Sequence, residues 1–560
     1  MKKIPLGKSN YKDIIDNECL YIDKTLLIKE LMDLGSGVVL IPRPRRFGKT
    51  LNLSTLKYFF EKTEVDHSYL FEDKLIWKEE KYRPMQGQYP VISLSFKDIQ
   101  DHDWQNVYEK FKKLISKEFE NRLPDIESSL LGEKLNTYKR ICASTASESD
   151  YSDSLYFLSE VLYNHYKQKV MVLIDEYDTP IHEAFLQDHN NYYEKMVRFM
   201  RSLLSPLLKD NPYLEKGVLT GILVLAKAGL FSELNNIDIF TLVDERFADK
   251  FGFTSSEVRQ ITCDYHLDDS FANIQSWYNG YTFGEVQGIY NPWSVLKCVG
   301  SAGKLNTYWV NTSEHKLLKE IISKASIGVQ SHLWDLIEGK TISMKIKTTF
   351  TLPEVRRNSE VIWSLLIFTG YLTYNSSKRI GTKWIYDLKI PNLEIMGLFE
   401  DLIKSIFSET ILNQDVNFFL ESLITGKERE VQSYLEEFVL KHMSTWDVTE
   451  KESEKSYHMF ILGLLVSLAG RYQVLSNREA GFGRYDITLT PRQTGDPGCV
   501  LEFKKVQDNE TLESAAKRAL DQIYRKEYAY ELKSMGRDVI AYGIAFEGKK
   551  VLVLKENISG

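Results

Sequence analysis

Short apolar runs alternate with stretches of helical spacing through the first part of the chain. Val38 to Ile41 have the pattern of a buried strand, followed by a loop and a helix from Lys49. "YPVISLSF" (89–96) and "GVLTGILVL" (217–225) are further strand candidates. Positions 104–122 carry apolar residues at helical intervals (Trp104, Val107, Phe111, Ile115, Phe119). Residues 154–167 read as another helix, which leads into "KVMVLIDEYD", an apolar run ending in acids. Continuous apolar strands separated by helices predict a parallel sheet covered on both faces.

The pattern changes after residue 250. Thr254 stands before an acidic turn and predicts a helix start. Residues 270–345 mix aromatics with turns. "SEVIWSLLIFTGYLTYN" and then "KWIYDLKIPN" read as a helix and two strands joined at a Gly-Thr turn, the shape of a winged-helix or lid module. Residues 393–442 have helical spacing. From 443 the expected order is helix 454–470, strands near 472–475, 485–490 and 499–504, helix 511–532, and strands 538–546 and 550–554. That order predicts a separate α/β domain.

A chain of 560 residues exceeds one core. Its net charge of -7 excludes a generally basic nucleic-acid coat, so any nucleic-acid contact needs a local patch or a metal. Cys19, Cys142, Cys263, Cys298 and Cys499 are scattered without a C-x-x-C pair. Neither a disulfide framework nor a cysteine zinc site is expected, which fits a reducing compartment. The N-terminal lysines precede no apolar run, so no secretory signal is expected. "MFILGLLVSLAG" (459–470) falls short of the roughly 20 residues of a spanning helix. The expectation is a cytoplasmic protein with no membrane partner.

"RPRRFGKTLN" (43–52) ends as GxxxxGK[ST] should, but Arg43 replaces the first glycine. Such a loop cradles phosphates with backbone N–H groups, Gly48 among them, and the N-terminus of the helix from Lys49. Lys49 is placed to add charge at the outer phosphates, and the Thr50 hydroxyl to join magnesium. Arg43 costs flexibility, and Pro44 removes a donor. Arg45 and Arg46 could supply compensating charge. The alternative is a basic strand–helix turn. Asp175 and Glu176, at the tip of the "VMVLIDEYD" run, are the acids expected to hold the metal shell and orient water. They could instead cap a helix that starts at Asp178-Thr179-Pro180.

A second group of residues is C-terminal, in "REAGFGRYDITLTPRQTGDPGCVLEFKK". Asp486 opens a strand, a turn follows, and the next strand carries Glu502 and Lys504. Alternation puts Glu502 and Lys504 on one face and Leu501 and Phe503 on the other. If the strands pair, Asp486 reaches the face of Glu502. Two carboxylates with a backbone carbonyl make a hard oxygen site suited to Mg²⁺ or Mn²⁺. The lysine beside them can orient or deprotonate the attacking water and stabilise charge on a phosphate. A solvated strand face is the alternative.

"YIDKTLLIKEL", "IPRPRRFGKTLNLSTLKYFF", "VLIDEYDTPI", "FGFTSSEV", "WYNGY", "YNPWSVL" and "YWVNTS" together resemble the AAA-ATPase-like family found beside nuclease domains in bacteria. The resemblance implies that RPRRFGKT is that family's usual phosphate loop. Asp23 and Lys24 match a motif of undetermined role. The family usually carries an Arg and a following Ser where Val224 and Ala226 stand. If that Arg senses the γ-phosphate, hydrolysis is weak here while binding survives. Thr220 then remains as a sensor, or it is a buried strand threonine.

The D-x15-ExK spacing and its flanks resemble the PD-(D/E)XK nuclease superfamily. That resemblance implies support from Gln522 and a further metal-side acid at Glu454, with Glu479 a third candidate. Gly481, Gly483 and Arg484 would shape the approach to Asp486.

The expected fold is α/β throughout. It comprises an N-terminal P-loop NTPase parallel sheet (1–250), a lid or helical extension (251–345), a winged-helix-like and helical connector (346–442), and a restriction-endonuclease-like domain (443–560). The leading function is an ATP-regulated, metal-dependent nuclease whose partner is nucleic acid, DNA before RNA. The alternative is an ATP-dependent switch or interaction protein whose nuclease fold binds without cutting. A homo-oligomer is open, since relatives form rings but no arginine finger is evident.

Overall fold

The computed structural model describes residues 1–187, 192–225, 236–309, 319, 322, 327–337, 339–410, 413–442, 461, 465, 468, 471–476, 479–480, 483–484, 486–493, 495–507, 510–548 and 550–559. The chain divides into two compact units. The first is Met1–Ser313 with Gly339–Met396, and the second is Glu314–Glu338 with Gly397–Gly560.

The first unit is built on β1 (Val38–Pro42), β2 (Val91–Ser95), β3 (Val170–Asp175), β4 (Leu214–Gly221) and β5 (Ile237–Ile239). The sheet order is β2-β3-β4-β1-β5, and every pairing is parallel. β1 and β3 are buried along their whole length, as continuous apolar strands must be. β5 has no apolar run to betray it, because Asp238 interrupts two half-buried isoleucines. β4 ends at Gly221, short of the expected 225. The reason is local: the Asp178 carboxylate accepts the amides of Ile222 and Leu223, both at 2.8 Å, and draws them out of the ladder.

Thr254 caps the Ser255–Asp264 helix and shares a reciprocal capping box with Glu257. Lys24 reaches the same Glu257 at 2.6 Å and the Asp249 carbonyl at 2.8 Å. Asp23 accepts from the Thr25 amide and hydroxyl and from the Leu75 amide. The undetermined Asp-Lys motif thus ties the N-terminal segment to two later parts of the unit. β6 (Tyr281–Phe283) and β7 (Val286–Ile289) form a small hairpin.

The expected helix with two strands is present. The Ser359–Thr369 helix ends at Gly370 in the left-handed region and leads into β9 (Thr373–Ile380), which pairs with β10 (Lys383–Lys389). An earlier strand, β8 (Ile342–Lys345), completes a sheet of order β8-β10-β9.

In the second unit, β11 (Tyr472–Ser476), β14 (Ile487–Pro491), β15 (Gly498–Lys505), β16 (Val539–Glu547) and β17 (Lys550–Ile558) form a mixed sheet in that order. Only the β15–β16 pairing is parallel. The short strands β12 (Glu479–Ala480) and β13 (Gly483–Arg484) pair separately. The Leu512–Arg525 helix covers one face, with Leu520 and Ile523 packed among Val500, Val539 and Ala541. The other face packs Leu501, Phe503 and Tyr542 against the Asn413–Ile424 and Glu428–His442 helices. Tyr542 donates its hydroxyl to the Leu423 carbonyl there at 2.6 Å.

The expected 511–532 helix breaks after Arg525. Glu527 turns at φ 53° and a short helix, Tyr530–Ser534, follows. Of the expected 454–470 helix, only Ile461, Leu465 and Leu468 are described, all buried in the second unit's core. Glu454, Gly481 and Ala226 lie outside the described residues, as do the side chains of Glu479 and Arg484. Among the described residues no helix is long and apolar enough to cross a membrane.

Candidate nucleotide pocket and nuclease site

The loop after β1 turns on two residues at positive φ, Arg46 at 66° and Gly48 at 87°. Gly48 takes this conformation freely, whereas Arg46 is strained by about 1 kcal/mol or more. Compensating contacts hold Arg46: its guanidinium stacks 4.8 Å from the Trp293 ring and donates to the Tyr308 carbonyl at 2.7 Å. Arg43 points away from the pocket. It is fully buried and donates to the carbonyls of Pro42, Phe240 and Phe247 at 2.8, 2.8 and 3.3 Å. Its guanidinium also lies over the rings of Phe251 and Phe283. The loop therefore exchanges a flexible glycine for a buried anchor.

Lys49 opens the helix with its ammonium donating to the carbonyls of Arg43 and Pro44, both at 3.0 Å. Burial pulls this lysine below its ordinary pKa, while Glu176 and Asp175 push it back up. Asp175, at the end of β3, has both oxygens engaged. Thr50 donates to Oδ2 at 2.6 Å and Thr220 to Oδ1 at 2.7 Å. Glu176 follows at φ 51°, and burial raises its carboxyl against the pull of Lys49. A cavity of about 520 Å³ opens here. Arg45, Arg46, Gly48, Lys49, Thr50, Asp175 and Glu176 all line it, and Thr220 stands behind, holding Asp175.

Asp178 does begin a helix, Thr179–Leu186, but its side chain makes no cap bond. Its carboxylate instead serves the chain leaving β4, and a Cβ on Gly221 would meet Asp178 Oδ1 at 2.5 Å. Only glycine allows that approach. Tyr177 adds a bond to the Leu223 carbonyl at 2.6 Å. Val224 is buried.

Sequence reasoning missed Glu394. It is 1 % exposed and accepts from the Ser294 hydroxyl at 2.8 Å and the amides of Tyr308 and Trp309 at 2.6 and 2.8 Å. Burial pushes its carboxyl up to about 7. The segment it grips supplies the carbonyl that holds Arg46. Its one sequence signal is an acid inside the apolar run "LEIM" (393–396).

In the second unit, Asp486 lies immediately before β14, where the β14–β15 ladder opens. Its Oδ2 accepts the Phe503 amide at 2.8 Å, and its own amide donates to Glu502 Oε2 at 3.3 Å. Glu502 is 1 % exposed. Lys504 donates to Glu502 Oε1 at 2.9 Å, and the Gln522 amide nitrogen bonds the same oxygen. Asp486, Glu502, Lys504 and Gln522 are thus brought together. Burial, then the Asp486 charge, pushes Glu502 up to about 7, opposed by Lys504. Burial raises Asp486 as well.

Gln522 reaches Glu502 because the Leu512–Arg525 helix lies close to the sheet. Gly543, in register with Glu502, makes this possible: a Cβ there would meet the Ala516 carbonyl at 2.4 Å. Among the described residues no group of three or more His, Cys, Asp or Glu is arranged around a metal. The Asp486–Glu502 pair nevertheless fits a hard divalent cation. It offers carboxylate oxygens whose mutual burial disfavours two unbalanced charges.

Residues 5–231 match the AAA-ATPase-like family model, described as predicted AAA-ATPase. Residues 452–556 match the PD-(D/E)XK nuclease superfamily. An uncharacterized protein in the vnfD 5' region of Azotobacter chroococcum mcd 1 is 23% identical over 558 residues, covering 97% of this chain and 96% of that one. A solved structure of the Aeropyrum pernix ORC1 protein in complex with DNA aligns at 11% identity, over 69% of this chain and 92% of its own, with a TM-score of 0.23. The chain is therefore a fusion of a predicted AAA-ATPase domain with a domain of the PD-(D/E)XK nuclease superfamily.

Proposed function

We propose that the protein is an ATP-regulated, metal-dependent nuclease that hydrolyses phosphodiester bonds in DNA. The observation that carries the reading is the convergence of Asp486, Lys504 and Gln522 on the buried carboxylate of Glu502. Asp486 and Glu502 would hold Mg²⁺ or Mn²⁺, which supplies Lewis acidity and a more acidic water when bound. Lys504 sits where it can orient the attacking water and offset negative charge on the scissile phosphate. Gln522 fixes the Glu502 rotamer.

In the first unit, Lys49 would exchange its loop carbonyls for phosphate oxygens. Thr50 and Asp175 would hold Mg²⁺ on the nucleotide, Arg45 and Arg46 would add charge, and Glu176 would orient water. Thr220 fixes Asp175. Buried Val224 favours slow hydrolysis, with bound ATP acting as a switch.

The test is supercoiled plasmid incubated with Mg²⁺ or Mn²⁺, with and without ATP. Cleavage that needs metal, responds to ATP and disappears in Asp486→Ala supports the reading. Plasmid that shifts in a gel without being cut favours a binding module instead.

A further inference from the structure

The β8-β10-β9 sheet carries a charge opposite to that of the whole chain. Its strands bear Lys345, Lys378, Arg379, Lys383 and Lys389 against a single acid, Asp387, while the chain carries -7. That acid is occupied at the base of the sheet, where Ser343 and Ser376 donate to it at 2.5 and 2.7 Å. Toward the Gly381–Thr382 turn the hairpin stands clear. Positions 375–384 are all exposed, including Ile380 at 59% and Trp384 at 51%.

The register divides the charge unevenly, with lysines on one face of the hairpin and a single arginine on the other. Arg379 pairs with Trp384, and their side chains share one face. Lys378 pairs with Ile385 and Ile380 with Lys383, which puts both lysines on the other face. Lys345 joins them, since it pairs with Ile385 from β8. An exposed two-stranded ribbon with lysines on one face, an arginine on the other and apolar side chains at its tip fits a groove with phosphates along both walls. The major groove of B-DNA, about 12 Å wide, admits a two-stranded β-ribbon, whereas that of A-form RNA is too narrow for side chains to read.

We infer that the β9–β10 hairpin is a duplex-DNA-binding ribbon, which inserts between the two phosphate walls with Lys378 and Lys383 on one side and Arg379 on the other. The identity of the partner rests on the nuclease reading; the placement of the contact does not. Exposed Ile380 and Trp384 suit the sugar edges and thymine methyls of the groove. The contact is mainly electrostatic and holds substrate without selecting a sequence.

The test measures binding of the full-length chain carrying Asp486→Ala to a fluorescent 30-base-pair duplex in EDTA, across a salt series. Lys378→Glu/Arg379→Glu/Lys383→Glu should weaken binding at least tenfold and lower the salt slope by about three. Lys113→Glu/Lys117→Glu/Lys195→Glu changes net charge equally at exposed sites elsewhere and should change affinity much less. Thermal melting matched to the parent shows that both variants fold. Equal losses in the two variants, no loss in the hairpin variant, or a loss confined to single-stranded RNA or to anionic vesicles would each overturn the inference. Plasmid cleavage by the otherwise unaltered chain is scored separately. A wrong hairpin assignment therefore leaves metal-dependent cutting intact, and a wrong nuclease reading leaves duplex binding to be judged by itself.

Discussion

Thr220 donates its hydroxyl to Asp175 Oδ1 at 2.7 Å, across neighbouring strands β3 and β4. Thr50 takes the other oxygen from the helix side. On the proposed reading, a magnesium ion on the nucleotide would meet a carboxylate held from both directions. Asp175→Asn should leave binding of metal-free ATP nearly unchanged and remove most of the gain that Mg²⁺ brings. Thr220→Val should show a partial form of the same loss, with about 1–3 kcal/mol of destabilisation from the unpaired buried oxygen. Titration of a fluorescent ATP analogue with and without Mg²⁺, together with a urea melt, measures both effects.

Lys49 donates only to loop carbonyls that phosphate oxygens can replace. ATP at a hundredfold its Kd stabilises a protein by about 2.7 kcal/mol. The parent should show the corresponding rise in melting temperature. Lys49→Ala should show none at the same ATP concentration, measured against its own melting temperature without nucleotide.

Glu502 gives a pH dependence whose sign is fixed by its raised pKa, about 7 against an ordinary 4.5. The folded protein holds a proton there that the unfolded chain has released. The associated stability is complete below pH 4.5 and is lost as pH climbs through 7. Metal-free Glu502→Gln should therefore melt higher than the parent at pH 8, and the difference should shrink toward pH 5. Divalent metal should stabilise the parent most at high pH and the variant little. Calorimetry in two buffers of different ionisation enthalpy should detect proton release when metal binds near pH 6.

Gly543 and Glu394 test the supports around each site. Gly543→Ala should force the Leu512–Arg525 helix off the sheet and loosen the hold of Gln522 on Glu502, so the proposed metal-dependent plasmid cleavage should fall about tenfold or more. Glu394→Ala leaves two amides and a hydroxyl unpaired around Tyr308 and Trp309. We expect it to lose several kcal/mol of stability. The milder Glu394→Gln should weaken ATP binding, and that effect should vanish in an Arg46→Ala background.

Four of the parallel strands were legible from their apolar runs, and the residues that the structure brings together in each candidate site because they follow or interrupt such runs. β5 was hidden by Asp238, which breaks its apolar pattern. The end of β4 was hidden because Asp178, three positions past Asp175, acts on Ile222 and Leu223 more than 40 residues later in the chain. Glu394 reaches Ser294 across a separation of 100 residues. Local patterning reports what a segment wants to become. It carries no record of which distant amide a carboxylate will serve.

Arg43 has a practical corollary for anyone engineering this chain. The phosphate-loop consensus invites glycine at position 43 as a repair. That change would remove a guanidinium that donates to three carbonyls and packs over two phenylalanine rings. The apparent defect is the peg on which the nucleotide loop hangs, so a back-to-consensus variant should express poorly or aggregate.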